Sequence, residues 1–134
     1  MKIELPGFEF YTGERQHNDV VASITPAGVI GFNAGACRKL DLLAYHWAQL
    51  GYNRKERQIA IVPTDEKSHG ARTISPRKGD RGADISAKGF LDMYDIPYDK
   101  RRSYTPEVRS SGRMVIIIDL KEPRSAGRPR PAAG

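Results

Sequence analysis

An internal repeat is the feature that most constrains the fold of this 134-residue chain. Four segments of the first half are matched, in the same order, by four segments of the second half. The pairs are 23–28 with 73–79, 30–34 with 83–87, 40–42 with 94–96, and 57–62 with 113–118. The offset grows slowly, from 50 between Ile24 and Ile74 to 54 between Leu42 and Ile96, as loop insertions in a duplicated unit would produce. The sequence therefore predicts two copies of one unit.

Each copy has the same predicted order of elements: a short strand, a turn with proline and glycine, a second strand, a short helix and a hairpin. Asn33 and Ser86 are the predicted helix N-caps. The first helix places on one face Ala36, Cys37, Leu40 and Leu43, and the second groups Phe90, Met93 and Tyr94. The continuous apolar run at 114–118 is typical of a strand buried on both faces.

Two copies of about 50 residues each cannot bury their apolar faces separately. We therefore expect the repeats at 20–64 and 71–120 to form one compact domain over 20–120. The predicted fold class is mostly β with short helices (α+β), in a barrel with approximate two-fold symmetry.

The two ends of the chain differ from this domain. Residues 1–19 are predicted to form an N-terminal strand, over 3–11, and a loop. Residues 121–134 contain three prolines, two glycines and a net charge of +3, half of the formal +6 of the chain. They have no large apolar residue, which predicts a disordered basic tail.

The first copy resembles a known family over 25–42, in which a glycine turn and alternating apolar residues precede a capped helix, and a hairpin ends at 59–63. It is similar to the AbrB/SpoVT and MazE-type swapped-hairpin family, and the second copy keeps that family's turn as Lys78-Gly79. The resemblance implies DNA-binding regulators or antitoxins that dimerise by interlocking hairpins. Here the two copies would form that dimer within one chain.

Three groups of basic residues are the candidate nucleic-acid-binding site, because guanidinium and ammonium groups pair with phosphates. They are Arg72, Arg77, Lys78 and Arg81 among glycines; Lys100, Arg101 and Arg102 between two tyrosines; and Arg54, Lys55 and Arg57 at a hairpin tip. The tyrosines, Tyr98 and Tyr104, have rings that could stack on bases. Each group also has a structural interpretation: a solvated linker, strand-end packing or an ordinary charged tip.

Other functions have weaker support in the sequence. The three histidines share no metal-ligand spacing, and Cys37 lies on an apolar helix face, where a buried thiol is unreactive. No phosphate-binding loop or serine elbow is present in the sequence, so we expect no enzyme activity, metal or cofactor. We expect a cytoplasmic protein, because the single cysteine suits a reducing compartment and the N-terminus has an acid and a proline where a signal peptide is apolar. We expect no membrane partner, because the sequence has no run of about 20 apolar residues.

The sequence leaves two functions open. The first is a small DNA-binding protein that contacts the phosphate backbone, as a monomer or homodimer. The second is a protein-interaction module on the same scaffold: an adaptor, an inhibitor or an assembly subunit.

Overall fold

The computed structural model describes Pro6 and residues 19–110 and 112–124. In these residues the chain is mostly β, as predicted, with nine strands and two short α-helices. The strands are β1 (Ala22–Ile24), β2 (Val29–Phe32), β3 (Trp47–Asn53), β4 (Gln58–Thr64), β5 (Arg72–Pro76), β6 (Ala83–Ser86), β7 (Arg102–Tyr104), β8 (Glu107–Ser110) and β9 (Met114–Asp119). The helices are α1 (Ala34–Leu40) and α2 (Lys88–Met93), and a 3₁₀ turn spans Leu42–Ala44.

The described strands form one antiparallel sheet in the order β7-β1-β2-β6-β5-β3-β4-β9-β8, curled into a half-barrel. The two edge strands, β7 and β8, are consecutive in the chain and are separated only by Thr105 and Pro106. Two intervening residues span at most about 11 Å between the Cα atoms on either side. The sheet must therefore curl until its first and last strands are close together at this point.

Strands from the two halves of the chain alternate in this sheet. β2 pairs with β6, and Gly31 lies opposite Asp84. β1 pairs with β7 of the second half, β5 pairs with β3 of the first half, and β4 pairs with β9. Within each half the strands pair as separate hairpins, β1–β2 and β3–β4 in the first half and β5–β6 and β8–β9 in the second. These hairpins are joined into one sheet only through strands of the other half.

The two helices begin differently and end in the same way. The predicted cap at Asn33 is confirmed, because its Oδ1 accepts a hydrogen bond from the Ala36 N–H at 2.8 Å. The prediction for Ser86 is wrong: Ser86 is the last residue of β6, and α2 begins after Ala87, which has no side chain that can cap it. Each helix is followed by an aspartate with left-handed backbone, a conformation that aspartate tolerates: Asp41 (φ 51°) is the C-cap of α1, and Asp95 (φ 56°) comes directly after Tyr94, the C-cap of α2.

The core lies inside the curled sheet and beneath the two helices. The predicted helix face is confirmed at Ala36, Cys37 and Leu40, which are buried. It is wrong at Leu43, which is 43% exposed because the 3₁₀ turn tightens the chain, and at Met93, which is 69% exposed. The prediction for the last strand is confirmed by three consecutive buried isoleucines, at 116, 117 and 118.

The predicted N-terminal strand at 3–11 lies outside the described residues, as does the tail from 125. The first residues of the predicted tail lie against the sheet: the Arg124 N–H donates to the Ser103 carbonyl at 2.7 Å, and its guanidinium donates to Thr105 Oγ1 at 2.9 Å. No helix in the described part of the chain is both long enough and apolar enough to cross a membrane.

Candidate nucleic-acid interface

The turn between β5 and β6 is held by its own first residue. The Arg77 N–H donates to the Gly82 carbonyl at 2.8 Å, and its Nη1 donates to the Arg81 carbonyl at 3.2 Å. Gly82 (φ +124°) packs so closely on the Phe32 carbonyl that a Cβ would clash with it. These contacts fix the backbone of the turn and leave the side chains of Lys78 and Arg81 exposed.

The side chain of Arg77 forms an ion pair within the fold, with Asp84. Its Nε and Nη2 donate to Asp84 Oδ1 at 3.0 and 2.5 Å. The hydrogen bonds that Arg77 donates to Asp84 raise the pKa of the Arg77 guanidinium above its ordinary value. Of the candidate cations on this turn, Arg77 is thus a positioning residue, and Lys78 and Arg81 are the ones available to a phosphate.

The last turn of α1 adds two cations that the sequence analysis missed. Arg38 and Lys39 are exposed. Arg38 also lines a cleft of about 280 Å³ between α1 and the β5–β6 turn, together with Asp41, Asp80 and Gly82. Basic residues are common in the last turn of a helix, where they face the negative end of its dipole, so their sequence position alone did not mark them.

The second basic group lies at the start of β7, beside β1. Arg102 is in register with Ile24 and forms an ion pair with Asp99 at 3.4 Å, whereas Lys100 and Arg101 are exposed. Tyr104 is 4% exposed. It is therefore a core residue that cannot stack on a base, and the expected interleaving of cations and aromatics is wrong at this position.

Tyr98, the other predicted stacking residue, is half-buried and forms a hydrogen-bonded triad with Lys88 and Asp92 of α2. Its hydroxyl donates to Asp92 Oδ1 at 2.6 Å and accepts from Lys88 Nζ at 3.1 Å. The bond to Tyr98 is the main cause of a raised pKa at Lys88 and of a lowered pKa at Asp92. Within the triad the charges of Lys88 and Asp92 are balanced by each other. The spacing of these residues in the sequence did not predict the triad.

The third group occupies the tip between β3 and β4. The Arg54 guanidinium lies over the Tyr94 ring, 5.2 Å from its centroid, so the tip packs against the end of α2. Arg57 (φ 55°) accepts a hydrogen bond from the Leu120 N–H at its carbonyl, and its side chain and that of Lys55 are exposed. Arg72, the remaining candidate, is exposed and donates from Nε to the Ser86 carbonyl at 3.0 Å.

The structure does not bring the ten candidates into one cluster. Because β2 and β6 are antiparallel, the β1–β2 turn and the β5–β6 turn lie at opposite ends of this pair, about 14 Å apart for four residues of strand. Lys100 and Arg101 lie near the first turn, and Lys78 and Arg81 lie on the second. The basic residues therefore form separate groups around the sheet.

Among residues 19–110 and 112–124, no three histidine, cysteine or acidic side chains are placed to hold a metal ion. Comparison with known proteins found no matching family model, no similar curated protein and no similar solved structure.

Proposed function

We propose that this chain is an internally duplicated protein of the swapped-hairpin type, resembling the AbrB/SpoVT and MazE family, and that it binds DNA through its phosphate backbone. The fold and the function have separate support. A fold alone does not imply a function, so the proposal of DNA binding has to rest on the basic residues.

The order of strands supports the duplication. In this duplication β1 corresponds to β5, β2 to β6, β3 to the interrupted strand β7–β8, and β4 to β9. Exchanging each strand for its counterpart then gives the same circular order, read in the opposite direction. This is what a two-fold axis between β2 and β6 would produce. Because β1 adds to β7 and β5 adds to β3, each half contributes strands to the other, as interlocked hairpins would.

The strand register supports the same correspondence, with one shift from the sequence alignment. Phe32 pairs with Ala22, and its counterpart Ile85 pairs with Ile74. Ile74 therefore corresponds to Ala22 in the sheet, two residues from Ile24, with which the sequence alignment matched it. A shift of two residues leaves the same face of the strand toward the core, so the alternation of apolar residues is compatible with this register.

One observation carries the DNA-binding proposal. Eight of the ten candidate cations, all but Arg77 and Arg102, have exposed side chains and form no ion pair with a carboxylate of the described residues. A cation without a carboxylate partner keeps its full charge for an external phosphate, with no ion pair to break.

Salt dependence tests this proposal. If six to ten phosphates are neutralised, the affinity for a generic labelled duplex should fall by about 10³- to 10⁵-fold between 50 and 200 mM salt. Fluorescence anisotropy at both concentrations gives this ratio. Absence of binding at 50 mM salt, or micromolar binding that is indifferent to salt, would contradict DNA binding through phosphates.

A second candidate function, a protein-interaction module, is favoured by the separation of the basic groups around the sheet. The basic tail discriminates between the two. A chain that ends at Arg124 keeps the contacts of Arg124 with Ser103 and Thr105, so it should fold like the full chain. If the truncated chain folds but loses all DNA binding, the folded body is not the DNA reader, and the interaction module becomes the better proposal.

A further inference from the structure

At one end of the β2–β6 pair, α1 faces the β5–β6 turn. At the other end, the corresponding elements are α2 and the β1–β2 turn. The Cys37 N–H donates to the Asn33 carbonyl at 3.0 Å, and the Leu91 N–H donates to the Ala87 carbonyl at 2.9 Å. Both helices are thus related by an offset of 54. They also end alike: the N–H of Asp41 and the N–H of Asp95 each donate, at 3.3 Å, to the carbonyl three residues earlier.

This correspondence makes the charges of the two ends directly comparable. Arg38 and Lys39 of α1 are matched in α2 by Asp92 and Met93. The β5–β6 turn carries Lys78, Asp80 and Arg81, whereas the shorter β1–β2 turn carries uncharged residues at 26, 27 and 28. When the charged side chains of the two ends are compared, the end with α1 and the β5–β6 turn has four cations without an ion pair to a described carboxylate, Arg38, Lys39, Lys78 and Arg81, and the other end has two, Lys100 and Arg101.

The end formed by α2 and the β1–β2 turn has cations at other positions, and two of them already form hydrogen bonds or ion pairs within the fold. Lys88 packs on Gly28 and is bonded to Tyr98 and Asp92. Arg102 is paired with Asp99. Only Lys100 and Arg101 remain there without an ion pair to a described carboxylate.

We infer that the phosphate contacts of the folded body are concentrated at one end of the sheet, the end formed by the last turn of α1 and the β5–β6 turn, and that Arg38 and Lys39 belong to this site with Lys78 and Arg81. The inference rests on the proposed DNA binding. It adds that the two halves have diverged: the backbone keeps an approximate two-fold relation, and the binding surface does not. The footprint on a duplex is consequently one-sided, without the dyad symmetry expected for two equal half-sites.

Two variants that remove the same charge test this inference on the full chain, with the generic duplex as probe. Arg38→Gln with Lys39→Gln neutralises the α1 end, and Lys100→Gln with Arg101→Gln neutralises the β7 end. If the first pair removes two phosphate contacts, the ratio of affinities at 50 and 200 mM salt should fall by about tenfold. The second pair should lower that ratio by less than the first pair, within about twofold, because the inference places Lys100 and Arg101 outside the main site.

The outcomes separate the inference from the proposal on which it rests. Equal losses for the two pairs, or a loss only for Lys100→Gln with Arg101→Gln, overturn the one-sided site while leaving DNA binding intact. If the unaltered chain does not bind the duplex at all, both the proposed function and the inference fail. All four side chains are exposed, so thermal unfolding of the variants should match that of the parent chain. Arg38→Lys, which keeps the charge, should retain the salt dependence of the parent.

Discussion

Arg77 donates two hydrogen bonds to one carboxylate oxygen of Asp84, and this ion pair lies across the backbone of Gly31. Gly31 is the register partner of Asp84 where β2 meets β6. A Cβ at Gly31 would lie 2.9 Å from Asp84 Oδ1 and closer still to Arg77 Nη2. The ion pair therefore requires glycine at this position, at the junction of the two halves of the chain.

Replacement of Gly31 by alanine should lower the free energy of unfolding by about 1–3 kcal/mol, because the added methyl group displaces the guanidinium. Urea denaturation followed by circular dichroism measures this. The control is Gly51→Ala in β3, where the new Cβ would lie 4.0 Å from the Ala60 Cβ and a small change is expected. In an Arg77→Ala background the cost of Gly31→Ala should shrink; an unchanged cost would refute the steric explanation.

Gly82→Ala should destabilise the protein by about 3 kcal/mol or more, since strain at φ +124° adds to a collision with the Phe32 carbonyl, which is backbone and cannot move aside. Gly112→Ala is the matched control: its φ is +81°, but no atom lies within 4 Å of the new Cβ. We expect only the conformational cost there, about 1 kcal/mol. Similar thermal shifts for both variants would show that the collision contributes nothing.

Asn33→Ala should cost about 1–2 kcal/mol, because Asn33 Oδ1 accepts from the Ala36 N–H at 2.8 Å and from the Val21 N–H at 3.1 Å. It thus caps α1 and holds the chain that enters β1. Asn33→Asp keeps the acceptor and loses only the donor bond to the Asp19 carbonyl, so it should stay close to the parent in chemical denaturation. A loss as large for aspartate as for alanine would contradict a capping role.

Stability should decline at alkaline pH. Burial raises the pKa of the Cys37 thiol, with a further contribution from Asp84, and burial also raises the pKa of the Tyr104 hydroxyl. A raised folded-state pKa means that the folded chain binds the proton more tightly than the unfolded chain. The stabilisation is therefore complete below the unfolded pKa, about 8.5 for a thiol and about 10 for a phenol, and is lost as pH rises through the folded values.

Cys37→Ala separates the two contributions. Unfolding free energies measured from pH 7 to 10 should slope downward above about pH 8.5 in the parent and stay flatter in the variant up to about pH 10. The buried thiol should also react slowly with a thiol reagent at pH 8 until denaturant is added. Rapid alkylation of the native protein would show that Cys37 is accessible and that its pKa is not raised.

Local patterns in the sequence were sufficient for the elements of this fold. The Asn33 cap, the apolar face with Ala36 and Leu40 and the isoleucine strand all depend on neighbours within a few residues, and each is found where expected. The prediction of Ser86 as a helix cap was wrong because the capping side chain must belong to the residue directly before the helix, and one extra residue in the second copy places Ala87 there.

The candidate site was predictable in part. Runs of basic residues at Lys78, Arg81, Lys100 and Arg101 indicated exposed cations, and these side chains are exposed. The sequence did not predict that Arg77 is paired with Asp84, because that contact depends on the register of the β5–β6 hairpin. It also did not predict that Arg38 and Asp80 line one cleft, because that depends on how α1 packs against the turn.

By itself the sequence determined which segments become strands and helices, since apolar periodicity, glycine turns and caps act over a few residues. Only the tertiary structure decided which strands pair and which charges are left free. Strand pairing joins β1 to β7 across some 80 residues, and an ion pair depends on distances of a few ångströms between side chains that adjacency in the chain does not fix. The β5–β6 hairpin brings Arg77 and Asp84 together, and the pairing of β2 with β6, which buries their shared apolar face, places this ion pair over Gly31.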